Sequence, residues 1–165
     1  LTALGRPALA ANEELVPAAR YERVTAQLYR GPQPSEAELD QLAAQGVKTI
    51  VDLRFGKRHA KQEIHKARML GLNYIHMPLG YLIPSKKKIK HILSIIRNPK
   101  CQPVFLHCHY GQDRTGMVVA IYQVQDQGTP LEEALKDMQK HKFKPWLLHF
   151  SRVVAHFDPG NTSAE

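Results

Sequence analysis

Cysteine is scarce in this 165-residue chain, with only Cys101 and Cys108 present. Two cysteines seven positions apart make no disulfide framework, and a bridge between them would occupy whichever has a chemical task. Long apolar runs are missing too: no stretch approaches the ~18 residues of a membrane span. There is no internal repeat and no low-complexity tract, which leaves solenoids out. Negative charge is under-represented, with 15 Asp and Glu against 23 Lys and Arg, a net charge of +8 and a pI near 9.6. That balance favours anionic partners: phosphorylated small molecules, acidic proteins, nucleic acid or a membrane surface. The bland alternative is a solvated basic surface with no particular partner.

The length suits one domain with a real core. The first residues, "LTALGRPALAANEE", have small-residue spacing like an export-signal cleavage region at Ala8–Ala10, but no basic and apolar segments precede it. Residues 1–20 read either as the tail of a trimmed export signal or as a flexible leader, with 21–165 as the single domain. The first reading places the protein in the periplasm or outside the cell, the second in the cytoplasm.

Along the domain, strand and helix signals alternate. "AQLYRGPQP" gives a short strand through Leu28 and Tyr29 that runs into a Gly/Pro turn. In "PSEAELDQLAAQG", Ser35 is the N-cap, Glu38 its capping-box partner and Gly46 the stop. "VKTIVDLR" and "LNYIHMPL" read as strands, with a basic loop and helix from Lys57 to Arg68 between them. Pro84 and Ser85 open a helix with Ile89, Ile92, Leu93 and Ile96 on one face. Its first turn is cationic throughout, against the helix dipole. "PVFLH" reads as a central buried strand, and "RTGMVVAIYQVQDQG" as a helix ending at Gly128. In "TPLEEALKDMQKH", Thr129 is the expected cap, Pro130 N1 and Glu132 N3, and a last helix is expected from Trp146 to Phe157. This alternation predicts an α/β fold with a mainly parallel sheet of four to five strands flanked by helices.

In such sheets ligands bind beyond the carboxyl ends of the strands, which is where "HCHYGQDRTG" (residues 107–116) falls. A strand, a glycine-containing turn and a helix start bring backbone N–H groups together as an anion cradle. The cradle spans His109, Tyr110, Gly111, Gln112, Asp113 and Arg114. Gly111 permits close approach or positive φ, and the Arg114 fork suits two phosphoryl oxygens. The same positive field favours the Cys108 thiolate, to which Thr115 can donate a hydrogen bond.

These residues resemble the His-Cys-x5-Arg-Ser/Thr signature of the cysteine-dependent protein-tyrosine and dual-specificity phosphatase superfamily. "LYRGPQPSEAELDQLAAQGVKTIVDLR" and "YIHMPL" are similar to the early strands and helix of its compact bacterial members, including inositol-phosphate phosphatases. The resemblance runs from about Leu28 to Gly128. It implies that Cys108 forms a phosphocysteine, that Arg114 binds the phosphoryl oxygens and that His107 braces the loop from beneath. It also implies that no metal, cofactor or nucleic acid takes part.

The chain departs from the pattern in one respect. Relatives commonly place an acidic residue about thirty positions before the cysteine, yet from Leu79 to His107 there is no Asp or Glu. Asp113, inside the loop as in myotubularin-type phosphatases, is therefore the candidate general acid. The alternative is that Asp113 only holds Arg114 or a water, with His109 as the reserve acid. Lys86, Lys87, Lys88 and Lys90 stand where the acid loop would be, and Lys140, Lys142 and Lys144 follow in an interhelical loop. Lys86, Lys87, Lys88, Lys142 and Lys144 are the candidate cationic rim for a polyanionic substrate such as an inositol polyphosphate; otherwise these lysines face solvent. A phosphoprotein is the alternative substrate.

Other readings have less behind them. His107, Cys108 and His109 lack the second Cys/His cluster of a zinc site. Met117 and Val118 stand where a nucleotide-binding loop requires Lys and Ser/Thr. A rhodanese-like sulfur transferase also uses a cradled cysteine, though its loop differs in length. A silent phosphoanion-binding module would not need Cys108, Arg114 and Thr115 all intact. Asp52 and Arg54 are expected to pair structurally, Cys101 to be structural and Trp146 to pack in the core or at the rim.

Overall fold

The computed structural model describes residues 19–56 and 60–161. Most of the leader and the start of the basic stretch at Lys57 lie outside the described residues. Arg20, the last leader residue, is tied into the domain, since its guanidinium and backbone N–H both donate to Glu38.

Strong local signals become elements close to where they are expected. Helix α1 (Glu36–Ala44) starts at Ser35, whose side chain accepts from the Glu38 N–H while Glu38 reaches back to the Ser35 N–H. Both halves of the capping box are made, and Gly46 follows at φ +84°. Strands β2 (Leu28–Gly31), β3 (Thr49–Asp52), β4 (Asn73–His76) and β5 (Val104–His107) carry β-branched and aromatic residues. Helices α2 (Lys61–Met69), α3 (Lys86–Arg97) and α4 (Asp113–Asp126) follow β3, β4 and β5.

Three local expectations shift. Helix α5 (Leu131–Lys140) is capped by Pro130, not Thr129. Pro130 has ψ 140°, which is extended, so the helix begins one residue later than the Pro-at-N1 rule gives. The last helix opens as a 3₁₀ turn over Pro145–Leu147 before α6 (Leu148–His156). A two-residue strand β1 (Glu22–Arg23) has no pattern to announce it and pairs antiparallel with β2.

The sheet has five strands in the order β1-β2-β5-β3-β4, parallel except at the β1 edge. Alternating side chains divide the core. Tyr29, Ile50 and Phe105 pack with Leu39, Leu42 and Ala67 from α1 and α2. Leu28, Val51 and Leu106 pack on the other face with the apolar residues of α3, α4 and α6. Helix α4 is buried on nearly every side between the sheet and its neighbours, which explains its lack of a polar stripe. Among the described residues no helix is long and apolar enough to cross a membrane.

Register positions the site. Gly31 and Asp52 both pair with His107, and His76 pairs with Asp52. The four parallel strands therefore end level with one another, and the segments after residues 31, 52, 76 and 107 leave from one edge of the sheet.

Candidate active site

The loop from Cys108 to Gln112 leaves β5 at that edge and runs into α4. Most of its carbonyls are held by a donor. His107 O accepts from the Leu53 N–H at 2.8 Å, His109 O from the Gln33 N–H at 3.1 Å and Gln112 O from the Gly116 N–H at 3.0 Å. The Cys108 carbonyl lies 3.0 Å from His107 Nδ1, and Gly111 O accepts from Arg30 Nη2 at 3.3 Å. The amides are the reverse. No carbonyl or side chain among the described residues accepts from the backbone N–H groups of residues 109–115. Gln112 at the N-cap supplies no side-chain hydrogen bond either. Residues 111 and 113–115 are buried, and buried amides are almost always paired, so this unpaired set is equipped to receive an anion.

Gly111, at φ +70°, packs directly on β2: a Cβ placed there would lie 2.5 Å from Gly31 C and 2.6 Å from Pro32 N. The "RGPQ" segment is thus the bed of the loop. Arg30, 2% exposed, is the residue the sequence reading missed. Its Nη1 donates to Asp137 of α5 at 3.3 Å while Nη2 holds Gly111 O. Burial pushes its guanidinium below its usual pKa, and the charges of Asp137, Glu22 and Cys108 oppose that. The available signal was a charge inside the otherwise apolar "LYRG", because a buried charge needs a partner.

Beneath the loop lies a second ionic network. Arg54 donates to both Asp52 oxygens, Nε at 2.9 Å and Nη2 at 2.8 Å, and to Glu63 at 2.8 Å. Asp52 and Arg54 therefore pair as expected. Burial opposes charge on Asp52, but the Arg54 hydrogen bonds win and hold its carboxyl below the usual range. Burial, with the charges of Glu63 and Asp52, pushes the Tyr74 phenol well up, so it remains a donor to Asp52 at 2.7 Å. His107 Nε2 lies 2.8 Å from Glu63 Oε1, off the line of a hydrogen bond. Asp52, Glu63 and His107 are close enough to suggest a metal cage, but Arg54 and Tyr74 already engage both carboxylates. The cluster reads as an internal ion network. Glu63 carried no signal in the sequence.

Cys108 is 2% exposed, at the root of the loop. Arg114 is buried beside it on three long contacts: Leu53 O at 3.5 Å, Leu79 O at 3.3 Å and Tyr81 OH at 3.4 Å. Its guanidinium also stacks 4.9 Å from the Tyr81 ring centroid. Arg114 Nε and Thr115 Oγ1 are buried and have no hydrogen-bond partner among the described residues. The expected Thr115 bond to the Cys108 sulfur is therefore not made here, and the hydroxyl keeps its full donor capacity. Asp113 is buried. Its Oδ1 accepts from the Lys144 N–H at 2.9 Å, and Lys144 Nζ lies 3.8 Å from Oδ2. Neither partner is Arg114, so Asp113 does not hold the arginine. Exposed Tyr110 meets the His109 ring edge-on at 4.4 Å.

The lysines separate. Lys144 stands over the rings of Tyr110 and Trp146, which puts Trp146 at the rim. Lys140 and Lys142 line a cavity of about 400 Å³ beside Tyr110, Gly111 and Gln112. Lys88 lines an apolar groove of about 550 Å³ that includes Leu79 and Tyr81. Lys86 and Lys87 sit exposed on the first turn of α3. Cys101, half-buried, packs against the core.

Compared with known proteins, residues 11–155 match the family described as "DSP-PTPase phosphatase fused to NAD+ Kinase". In sequence the chain is 32% identical over 99 residues to the probable NAD kinase 2, chloroplastic, of Oryza sativa subsp. japonica, covering 56% of this chain and 10% of that protein. It is 27% identical over 131 residues to the dual specificity protein phosphatase TpbA of Pseudomonas aeruginosa (strain UCBPP-PA14), covering 77% of this chain. The chain spans a tenth of the first relative and 56% of the second. In three dimensions it resembles the core catalytic domain of the PP-IP phosphatase SIW14 from S. cerevisiae, solved with citrate. The TM-score is 0.77 at 17% identity, covering 87% of this chain and 88% of that one. P. aeruginosa TpbA solved with pTyr gives 0.70 at 19% identity, covering 84% and 87%. At such identities these two structures speak to the fold alone.

Proposed function

The chain belongs to the family of DSP-PTPase phosphatases fused to NAD+ kinase, a branch of the cysteine-dependent phosphatases, and we propose that residues 21–165 form one phosphatase domain working through Cys108. The observation that carries this reading is the asymmetry of the loop. Most of its carbonyls are tied to neighbouring segments, while among the described residues nothing accepts from the amides of 109–115, Arg114 Nε or Thr115 Oγ1, in the stretch that starts from Cys108. A phosphoryl group offers acceptors to several of the amides and to Arg114, leaving Thr115 to donate to the sulfur.

In the first step the Cys108 thiolate attacks phosphorus. The S–P bond forms, the P–O ester bond breaks, and the leaving oxygen takes a proton from Asp113. In the second, water attacks the phosphocysteine, Asp113 takes the water proton and the S–P bond breaks to release phosphate. Arg114 exchanges its long contacts for a bidentate charged acceptor, a stronger bond. His107 braces the loop from below, and His109, Tyr110, Gly111 and Gln112 line the cup. Positioning and charge stabilisation are what phosphoryl transfer demands, so no metal or cofactor enters.

The substrate favoured is a polyanion of the inositol-polyphosphate type. Lys144 beside Asp113 and Lys142 beside the Tyr110–Gln112 segment support it; Lys86, Lys87 and Lys88 are the outer part of this rim. The phosphotyrosine alternative draws on Tyr81, whose ring flanks Arg114 and could stack on an aryl ester. The test is phosphate release by wild type and Cys108→Ser from inositol hexakisphosphate and a phosphotyrosine peptide, at two salt concentrations. Activity abolished by Cys108→Ser is expected, with kcat/KM favouring the inositol phosphate at low salt. Peptide preference at both salts overturns the substrate assignment, and full activity in Cys108→Ser overturns the mechanism.

A further inference from the structure

The large apolar side chains left on the surface are not scattered. Phe55 (76% exposed), Leu82 (86%) and Ile83 (68%) share with Tyr81 the apolar groove that opens beside Arg114. Tyr110 and Trp146, also exposed, are joined by Lys144, which stands over both rings. Tyr81 carries the groove towards the site, since its hydroxyl meets Arg114, and its carbonyl lies 2.7 Å from His149 Nε2 of α6. Among the described residues, four of the eight exposed large apolar side chains thus share this groove, and two more meet at Lys144. A contiguous exposed apolar patch marks an interaction surface.

The apolar groove itself is lined by Lys88 and by no carboxylate. From Leu79 to His107 and from Met138 to Phe157 there is no carboxylate, while Lys86, Lys87, Lys88, Lys140, Lys142 and Lys144 are all present. The three lysines of α3 sit on its first turn, where they oppose the helix dipole. Apolar tips on the groove beside a run of lysines are the composition of a surface that inserts at an anionic lipid interface, where the cations lie at headgroup level and the apolar tips go deeper.

We propose that the rim of Phe55, Tyr81, Leu82 and Ile83, flanked by Lys86–Lys88, docks on an anionic bilayer, so that a phosphorylated lipid headgroup reaches Arg114 and Cys108 from the membrane. The docking stands on the surface alone; delivery of the headgroup rests on the phosphatase reading. Leu82 and Ile83 enter the acyl boundary, the lysines lie at headgroup level, and Tyr81 spans from the apolar rim to the guanidinium.

The test is sedimentation of the full chain with phosphatidylcholine vesicles, with and without phosphatidylserine, at low and high salt, alongside hydrolysis of a small soluble aryl phosphate. Wild type is expected to sediment with the anionic vesicles only, and less at high salt. Lys87→Ala/Lys88→Ala should weaken this by about thirtyfold, since each lysine near an anionic surface is worth about fivefold. Leu82→Ser/Ile83→Ser should weaken it by about tenfold or more with aryl phosphate turnover unchanged. Failure of wild type to prefer anionic vesicles, or variants that sediment like wild type, overturns the docking. Turnover of the aryl phosphate in that event leaves the phosphatase reading standing and assigns the rim to a protein partner. Sedimentation without turnover supports the docking and removes headgroup delivery.

Discussion

Gly111→Ala tests whether the loop works because it is pressed onto the β2 turn. The new Cβ would sit 2.5 Å from Gly31 C and 2.6 Å from both Gly31 O and Pro32 N. Ordinary carbon contacts begin near ~3.5 Å, so the backbones must part by about 1 Å. Neither side yields easily: Gly31 is paired with His107 in the sheet, and Arg30 and Gln33 hold the loop carbonyls. The φ of +70° adds about 1–2 kcal/mol for a residue with a Cβ, and overpacking adds about 1–3 kcal/mol. A stability loss of roughly 2–5 kcal/mol follows. In the fraction that stays folded, a shift near 1 Å should lower kcat/KM about 100-fold. The assay is aryl phosphate turnover with urea denaturation, and Gly116→Ala serves as the control. A Cβ at Gly116 has its nearest neighbour at 3.6 Å, an ordinary contact, inside a helix where alanine gains about 0.5–1 kcal/mol. Gly116→Ala should keep turnover and match or exceed wild-type stability. Wild-type turnover and denaturation midpoint in Gly111→Ala would refute the account.

Three further outcomes are expected. Asp113→Asn keeps an oxygen to accept from the Lys144 N–H but gives up the proton, so turnover should fall by about 10²–10⁴ with little change in melting. Asp113→Ala should add a stability loss of about 1–3 kcal/mol from the orphaned amide, and an unaltered pH–rate profile in the Asn variant removes the acid role. Arg30→Met leaves Asp137 and Gly111 O without their guanidinium. It should cost about 3–5 kcal/mol and lower kcat more than it raises KM, with partial rescue of kcat by Arg30→Lys; equal loss in the Lys and Met variants argues against this role. For Glu38, burial alone would raise the carboxyl, but the hydrogen bonds from Arg20 and the Ser35 N–H hold it at about 2. A depressed folded pKa contributes stability above the unfolded value near ~4.3 that is lost as pH falls towards 2. Glu38→Gln should therefore flatten the acid limb of a stability–pH curve by about 1–3 kcal/mol, discounted because Arg20 is half-exposed. Parallel curves would contradict it.

The parts legible in the sequence are those whose causes are local. Ser35 and Glu38 are three residues apart and make each other's hydrogen bonds, so their helix start could be read directly. The apolar run into "HCHYGQDRTG" announced a strand, a turn and a helix start, and with them the cradle. Asp52 and Arg54, two positions apart at a strand end, were readable as a pair. Thr129 and Pro130 show the limit of such rules: two cap signals stood side by side, and the extended ψ of the proline decided between them.

By itself, then, the sequence determined the α/β order of elements, the strand–turn–helix passage through Cys108 and the lack of a carboxylate before it, since each depends on neighbours along the chain. Only the tertiary structure decided that Arg30 and Gly31 form the bed of that turn, that Glu63 lies against His107, that Asp113 meets Lys144 and that the apolar rim gathers at the mouth. The first three of those contacts join positions 31 to 81 residues apart, and what brings them together is strand register and helix packing, which no short window of residues encodes.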